Sequence, residues 1–242
     1  MKNQVNLIAV SKPSAITNCN TASELVAYTA RVSNPANQNN KKTAKKLVQY
    51  LIKEHHWSPF EMVHMTMEIK TTRDIARQIL RHRSFAFQEF SQRYAEATEF
   101  YPREARLQDT NNRQNSIETN DSGLKEWWSM EQSKVRRQSE KSYKESLEKG
   151  IAKEQARALL PEGLTESTIY MAGSLRSWIH YCDLRRANGT QKEHMEIAQA
   201  CWDILLIHFP EVGEITETKE VNPTYRRVDD AGVDIDTGKF TG

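Results

Sequence analysis

A chain of 242 residues can bury a substantial core, and with 34 basic against 32 acidic residues its net charge of +2 lacks the positive excess of a dedicated nucleic-acid binder. Cys19, Cys182 and Cys201 lie far apart without a Cys-x-x-Cys pair, which argues against a disulfide framework or a cysteine zinc site and points to a reducing compartment. The apolar run at the N-terminus is too brief for a signal segment and no later stretch approaches a membrane span, so a cytoplasmic protein with no membrane partner is expected.

Residues 5–10 read as a first strand. Thr21-Ala22-Ser23-Glu24 is a capping box that opens a helix running toward Val32 and ending before Pro35. Residues 43–55 continue as a helix with Leu47, Val48, Leu51 and Ile52 on one side. Residues 62–70 then alternate, with Val63, Met65, Met67 and Ile69 facing one way, the pattern of a half-buried strand. Thr71-Thr72-Arg73-Asp74 starts a helix on which Arg73, Arg77 and Arg81 recur every fourth residue as a cationic stripe presented to solvent, while Ile75, Ile79 and Leu80 hold its other face down. A loop is expected after it.

Residues 103–123, rich in Asn, Gln, Asp and Thr, read as a polar loop or insertion. Residues 125–149 form a highly charged helix with sparse anchors at Trp127, Trp128, Val135, Tyr143 and Leu147, suited to the surface or to a subunit contact. The spacing of Ile169, Ala172, Leu175 and Ile179 predicts a helix over residues 165–181, with Arg176 and His180 on a second stripe and an end marked by Asn188-Gly189. Thr190-Gln191-Lys192-Glu193 caps a further helix, whose Ile197, Cys201, Trp202, Leu205 and Phe209 run to a stop at Pro210. From Gly213 the chain turns polar, with Arg226-Arg227 and Asp229-Asp230, and reads as an appended tail. The order of elements is that of a mixed α/β (α+β) chain with a helical C-terminal half.

The densest chemistry lies in Arg81-His82-Arg83-Ser84-Phe85-Ala86-Phe87-Gln88-Glu89-Phe90-Ser91-Gln92-Arg93-Tyr94, where guanidiniums alternate with aromatic rings and no lysine intervenes. Arginine's planar fork matches phosphate or carboxylate bidentately, and its faces stack on rings, so the segment reads as an anion-binding site. Arg-His-Arg followed after seven residues by Ser91 resembles the signature of the flavin-dependent thymidylate synthases (ThyX). Ala30-Arg31-Val32-Ser33, His56-Trp57-Ser58-Pro59-Phe60-Glu61, Ala156-Arg157 with Leu160-Pro161, and Leu184-Arg185 are similar to family segments in the same order, so the resemblance spans roughly residues 1–210.

The resemblance implies a central, mostly antiparallel sheet flanked by helices, in one catalytic domain over residues 1–212, with residues 213–242 left as a polar tail. It implies reductive methylation of dUMP to dTMP, with 5,10-methylenetetrahydrofolate as carbon donor, FAD reduced by NADPH as hydride donor, tetrahydrofolate as co-product, and a homotetramer with shared active sites. Residue by residue, Gln78, Arg81, Glu89, Phe90, Ser91, Gln92, Arg93, Arg157 and Arg185 match dUMP contacts, with Arg93 and Arg157 on the phosphate and Arg185 against the uracil ring as the catalytic residue. Ser33, His56, Ser58, Arg81, His82, Arg83, Glu89, Ser174, Leu175, Arg176 and His180 match FAD contacts.

Other uses of these residues fit less well. Ser91 lacks a histidine and acid at nucleophile-elbow spacing, and Cys182 near His180 and Arg185 is a weak nucleophile candidate. His64, His194 and His208 read as structural. No His-Glu-x-x-His is present and no metal is expected; no Gly-x-Gly-x-x-Gly is present, so FAD would be held by arginines and by neighbouring subunits. Two alternatives stay open, a single-strand-binding module built on Arg and aromatic stacking, and a non-catalytic nucleotide sensor on the same fold; the near-neutral charge disfavours nucleic acid as a partner.

Overall fold

A computed structural model of the chain describes residues 4–97, 99–187 and 189–216. β1 (Gln4–Val10) leads to α1 (Ala22–Ala30), whose N-cap Thr21 accepts the Glu24 N–H at 3.1 Å while the Glu24 carboxylate takes the Asn20 N–H at 2.6 Å, so the capping box forms one residue wider than the motif predicts. α2 (Ala44–Lys53) buries Val48, Leu51 and Ile52 and ends in a left-handed His55 at φ 58°, the conformation that lets the His56 N–H return to the Leu51 carbonyl. A 3-10 turn, Ser58–Met62, feeds β2 (His64–Thr72), which runs directly into α3 (Arg73–Ile79). Then come β3 (Ala86–Glu89), a hairpin of β4 (Arg106–Gln108) and β5 (Ser116–Glu118), α4 (Ser122–Glu148) and α5 (Lys153–Ala156). β6 (Glu166–Ser174), α6 (Leu175–Arg185), α7 (Lys192–His208) and α8 (Pro210–Thr216) complete the order.

The main sheet has the order β1-β2-β6-β3 and every pairing is antiparallel. Antiparallel sheets can keep one face dry and the other wet, and the alternation shows which is which. Met65, Met67, Ile69, Ile169 and Met171 are fully buried against the helices, each contributing about 1.5–3 kcal/mol of transfer free energy. On the opposite face Glu68 lies between Asn6 and Tyr170 in register and accepts from both, at 3.1 and 2.9 Å. Trp178 of α6 donates its indole N–H to the Met65 carbonyl at 3.1 Å, fixing α6 across the middle of the sheet.

Several expectations are corrected. Residues 165–181 are not one helix: β6 occupies the first half and pairs with both β2 and β3, and α6 begins only at Leu175 behind its N-cap Ser174. Ile169 satisfies a helical and a strand period equally, but Ser167, Met171 and Gly173 are buried with it, and that spacing is two. The loop expected after α3 contains β3. Residues 103–123 hold the β4–β5 hairpin. Along α4, Tyr143 is buried, whereas Trp127 and Val135 are about half exposed. The N-cap of α7 is Gln191, not Thr190, and it makes no side-chain cap. Pro210 ends α7 but starts α8, so Gly213 and Glu214 belong to a helix, and Glu214 pairs with Lys45 at 2.6 Å. Arg226-Arg227 and Asp229-Asp230 lie outside the described residues, as does Asn188.

Candidate active site

α3 is two turns long and stops at Ile79, which changes the arginine stripe. Arg73 is mostly buried, 3.6 Å from Glu89, and Arg77 pairs with Glu162, so these two are structural cations. Arg81 lies beyond the helix end, in the turn that carries His82 and Arg83. That turn rests on α6. Phe85 packs edge-on to Trp178 at 4.9 Å, His82 stands edge-on to Tyr181 at 4.9 Å, and the Ser177 hydroxyl donates to the Ser84 carbonyl at 3.2 Å. Gly173 is required beneath it, because a Cβ there would lie 2.4 Å from the Phe85 ring.

The centre is Arg185, the last residue of α6. Its Nε–H donates to His82 Nε2 at 2.9 Å. Burial, then the positive charges of Arg185 and Arg81, push the His82 imidazole down to about 4, so near neutrality it accepts this hydrogen bond as a neutral ring with its proton on Nδ1. Arg81 and Arg83 are exposed and have no hydrogen-bond or ion-pair partner among the described residues. Arg185 and Arg81 both act on the His82 ring, and positive charges gathered around one point without a carboxylate attract an anion.

The other expected residues fall into two further groups. Arg176 and His180 project from the exposed face of α6 toward the Ser58–Met62 turn: Arg176 pairs with Glu61 at 2.9 Å and His180 stands edge-on to Trp57 at 4.7 Å. His56, Ser58 and Ser33 are exposed. Ser174 and Leu175 are buried, the Ser174 hydroxyl accepting the Ser177 N–H as a cap, so the FAD contacts expected at these two positions are not presented on the surface of this chain. The third group follows β3. Glu89 takes the Ser167 hydroxyl at 2.8 Å, Phe90 extends β3 by donating its N–H to Thr168, and Gln92 is buried with its amide nitrogen unpartnered. Ser91 accepts the Arg93 N–H at 3.4 Å; Arg93 pairs with Glu154 at 3.4 Å, and Arg157 donates Nε–H to the Glu154 carbonyl at 3.2 Å. No hydrogen bond or ion pair among the described residues joins this group to Arg81, His82 or Arg185.

One residue read as structural lies at the centre. His194 is fully buried, its ring 6.2 Å from His82, and Nε2 and Nδ1 face Tyr181 Oη at 3.1 Å and Gln78 Oε1 at 3.4 Å. The available signal was its place on the apolar stripe of α7 with Ile197, Ala198 and Cys201, since a polar group on a core stripe must find partners. Burial pushes the Cys182 and Cys201 thiols well up, so neither is a ready thiolate. No group of three or more His, Cys, Asp or Glu among the described residues is placed to hold a metal, and no described helix is long and apolar enough to cross a membrane.

Guanidiniums without carboxylate partners among the described residues, set in the α3–β3 turn and at the end of α6 beside aromatic rings and a neutral imidazole, offer the chemistry that suits an anion carrying an aromatic ring. The profile of the family described as thymidylate synthase complementing protein matches residues 15–211. A probable flavin-dependent thymidylate synthase of Paramecium bursaria Chlorella virus 1 is 54% identical over 209 residues, covering 86% of this chain and 96% of its own. The flavin-dependent thymidylate synthase of Synechocystis sp. is 51% identical over 215 residues, covering 88% and 99%. A crystal structure of a UMP/dUMP methylase, PolB from Streptomyces cacaoi bound with 5-Br dUMP, superposes with a TM-score of 0.76 over 89% of this chain and 95% of that one; at 24% identity it speaks for the fold. The chain belongs to the flavin-dependent thymidylate synthase family.

Proposed function

We propose that this chain methylates dUMP reductively to dTMP, taking a methylene carbon from 5,10-methylenetetrahydrofolate and releasing tetrahydrofolate. The observation that carries the reading is that Arg81, Arg83 and Arg185 have no carboxylate partner among the described residues, and that Arg185 and Arg81 lie near enough to His82 to help keep it neutral. The residues present fit FAD, since the exposed Arg81 and Arg83 would offer their forks to its phosphates, while His56, Ser58, Arg176 and His180 are also exposed and would be available to its rings. When bound and reduced by NADPH, it supplies the hydride that completes the methyl group.

The chain's own residues do the rest. Arg185, held at Nε by His82, has its terminal nitrogens left for the pyrimidine, where a cation stabilises negative charge developing as the ring attacks the methylene carbon. Gln78 and Arg81 share that edge of the site, and Arg93 and Arg157 take the nucleotide phosphate with Ser91 donating beside them. Those phosphate ligands and Arg185 form separate groups within one chain, which supports a homotetramer whose sites combine groups from neighbouring subunits, in the cytoplasm where reduced folate and NADPH are made.

The test is the visible absorbance spectrum of FAD-loaded, desalted protein, followed anaerobically after adding NADPH with and without dUMP, with product analysis once folate is added. A retained flavin spectrum that bleaches faster with dUMP, and dTMP with tetrahydrofolate as products, is the expected result. Absence of flavin retention together with absence of dTMP overturns the reading.

A further inference from the structure

Gln78 does not stand alone behind the site. Glu193, at the start of α7, is held by Arg106 and by Arg103, the latter at 3.1 Å. Burial raises its carboxyl, but the hydrogen bond from Arg106 and the two guanidinium charges outweigh this and bring it down to about 2, so it is ionised and can only accept. Polarity therefore propagates from this end. Gln191 must donate Nε2–H to Glu193, as it does at 3.0 Å, which turns its carbonyl oxygen toward Gln78. Gln78 must in turn donate Nε2–H to Gln191 at 2.8 Å, which turns its own carbonyl oxygen toward His194 Nδ1. An amide oxygen can only accept, so His194 carries its proton on Nδ1 and its Nε2 accepts from the Tyr181 hydroxyl.

Every donor thus points the same way, from Tyr181 through His194, Gln78 and Gln191 to Glu193. We propose that His194 is a positioning residue for nucleotide binding, holding the Gln78 amide in the one orientation that presents its remaining N–H to an oxygen of the ligand. That second Nε2 hydrogen has no partner among the described residues. Flipping the amide would set its N–H against His194 Nδ1–H and its oxygen against that of Gln191, so the buried chain forbids it. The chain also gives a task to residues 103–123: the segment supplies Arg103 and Arg106, and α4 fixes Arg103 through Trp128 and Gln132, which both donate to its carbonyl. Burial, then the charges of Arg185 and Arg81, lower His194 to about 3 and hold it neutral.

The inference rests on Gln78 being a dUMP contact, so the experiment is a double-mutant cycle, read as the dUMP dissociation constant by titration calorimetry of the FAD-loaded full chain, with kcat and KM in parallel. Gln78→Ala is expected to weaken dUMP by about tenfold and His194→Phe by roughly five- to tenfold, while the double variant is no weaker than Gln78→Ala alone within about twofold. His194→Asn keeps an N–H donor where Nδ1 stood and should restore affinity to within about twofold of the parent. Additive losses in the double variant, or His194→Asn as weak as His194→Phe, overturn the positioning role. An unchanged affinity in Gln78→Ala overturns the dUMP contact and the inference with it. Should His194→Phe fail to fold, Tyr181→Phe takes its place, since it frees His194 to move its proton to Nε2; unchanged dUMP affinity there overturns the proposal.

Discussion

Arg185 shows why a side chain's partner matters as much as its charge. Most arginines near a helix end pair with a carboxylate, and Arg103 and Arg106 do so with Glu193; Arg185 meets a neutral imidazole instead, so its charge is undiminished. Arg185→Ala should leave FAD bound and lower turnover by about 10²–10³, the usual cost of deleting one group aimed at developing negative charge. Arg185→Lys should recover little, because an ammonium cannot hold His82 with one edge and the pyrimidine with another; rate and flavin absorbance measured together check both variants. The imidazoles make a second point. His82 and His194 have folded-state values of about 4 and about 3, both lowered chiefly by burial and then by Arg185 beside them, while the unfolded chain binds protons at the ordinary 6.5. The unfolded state therefore holds more protons below that point, and stability is lost as pH falls from about 6.5 toward the folded values. Urea midpoints at pH 7.5 and 5.5 should show the drop, and His194→Asn, which cannot titrate there, should show a smaller one.

At the scale of elements, the β6–α6 junction governs the site. A strand leaves the sheet at Ser174, turns without a loop into α6, and so aims Arg176, His180 and Arg185 from a rigid helix pinned by Trp178. The Arg81–Ser84 turn is seated on this junction through Phe85, whose ring fills the space over Gly173. Gly173→Ala should cost about 1–3 kcal/mol of stability through overpacking, and because Phe85 must move, it should also loosen FAD. Thermal melting and the fraction of flavin kept after desalting read the two effects. The composition of residues 165–174 is rich in hydroxyls and β-branched side chains, a strand tendency that the coincidental three- and four-residue spacing of Ile169, Ala172, Leu175 and Ile179 masked. The β4–β5 hairpin was hidden for a different reason: its three-residue strands carry few apolar positions, and it is held by Arg103 and Arg106 reaching Glu193, a contact between distant parts of the chain.

At the scale of the molecule, the residues expected at the site fall into groups that no hydrogen bond or ion pair among the described residues joins. The Arg81–Arg83 and Arg185 cluster, and the Ser91, Arg93 and Arg157 group, are each internally connected and not to each other. Meanwhile α4 exposes Trp127, Met130 and Val135 to about half their area, and Leu107 and Ile117 of the hairpin do the same. Assembly that covers this face and brings the two groups together makes a clear prediction. Arg185→Ala and Arg93→Ala chains, each nearly inactive alone, should recover part of the parental turnover when co-expressed, since some mixed sites then contain both arginines. Light scattering should give four times the 28.0 kDa chain.

What the sequence determined by itself was the family, the mixed α/β class and the central strand with Met65, Met67 and Ile69 inward, because these depend on local motifs and local period. What only the tertiary structure decided was which arginines are spent and which are available. Arg73, Arg77 and Arg81 are equivalent along the chain, yet Glu89 and Glu162 neutralise the first two and nothing described neutralises the third. Likewise His194 is one more core-stripe residue until folding places it between Tyr181 and Gln78, because a buried donor is defined by the groups it meets in space.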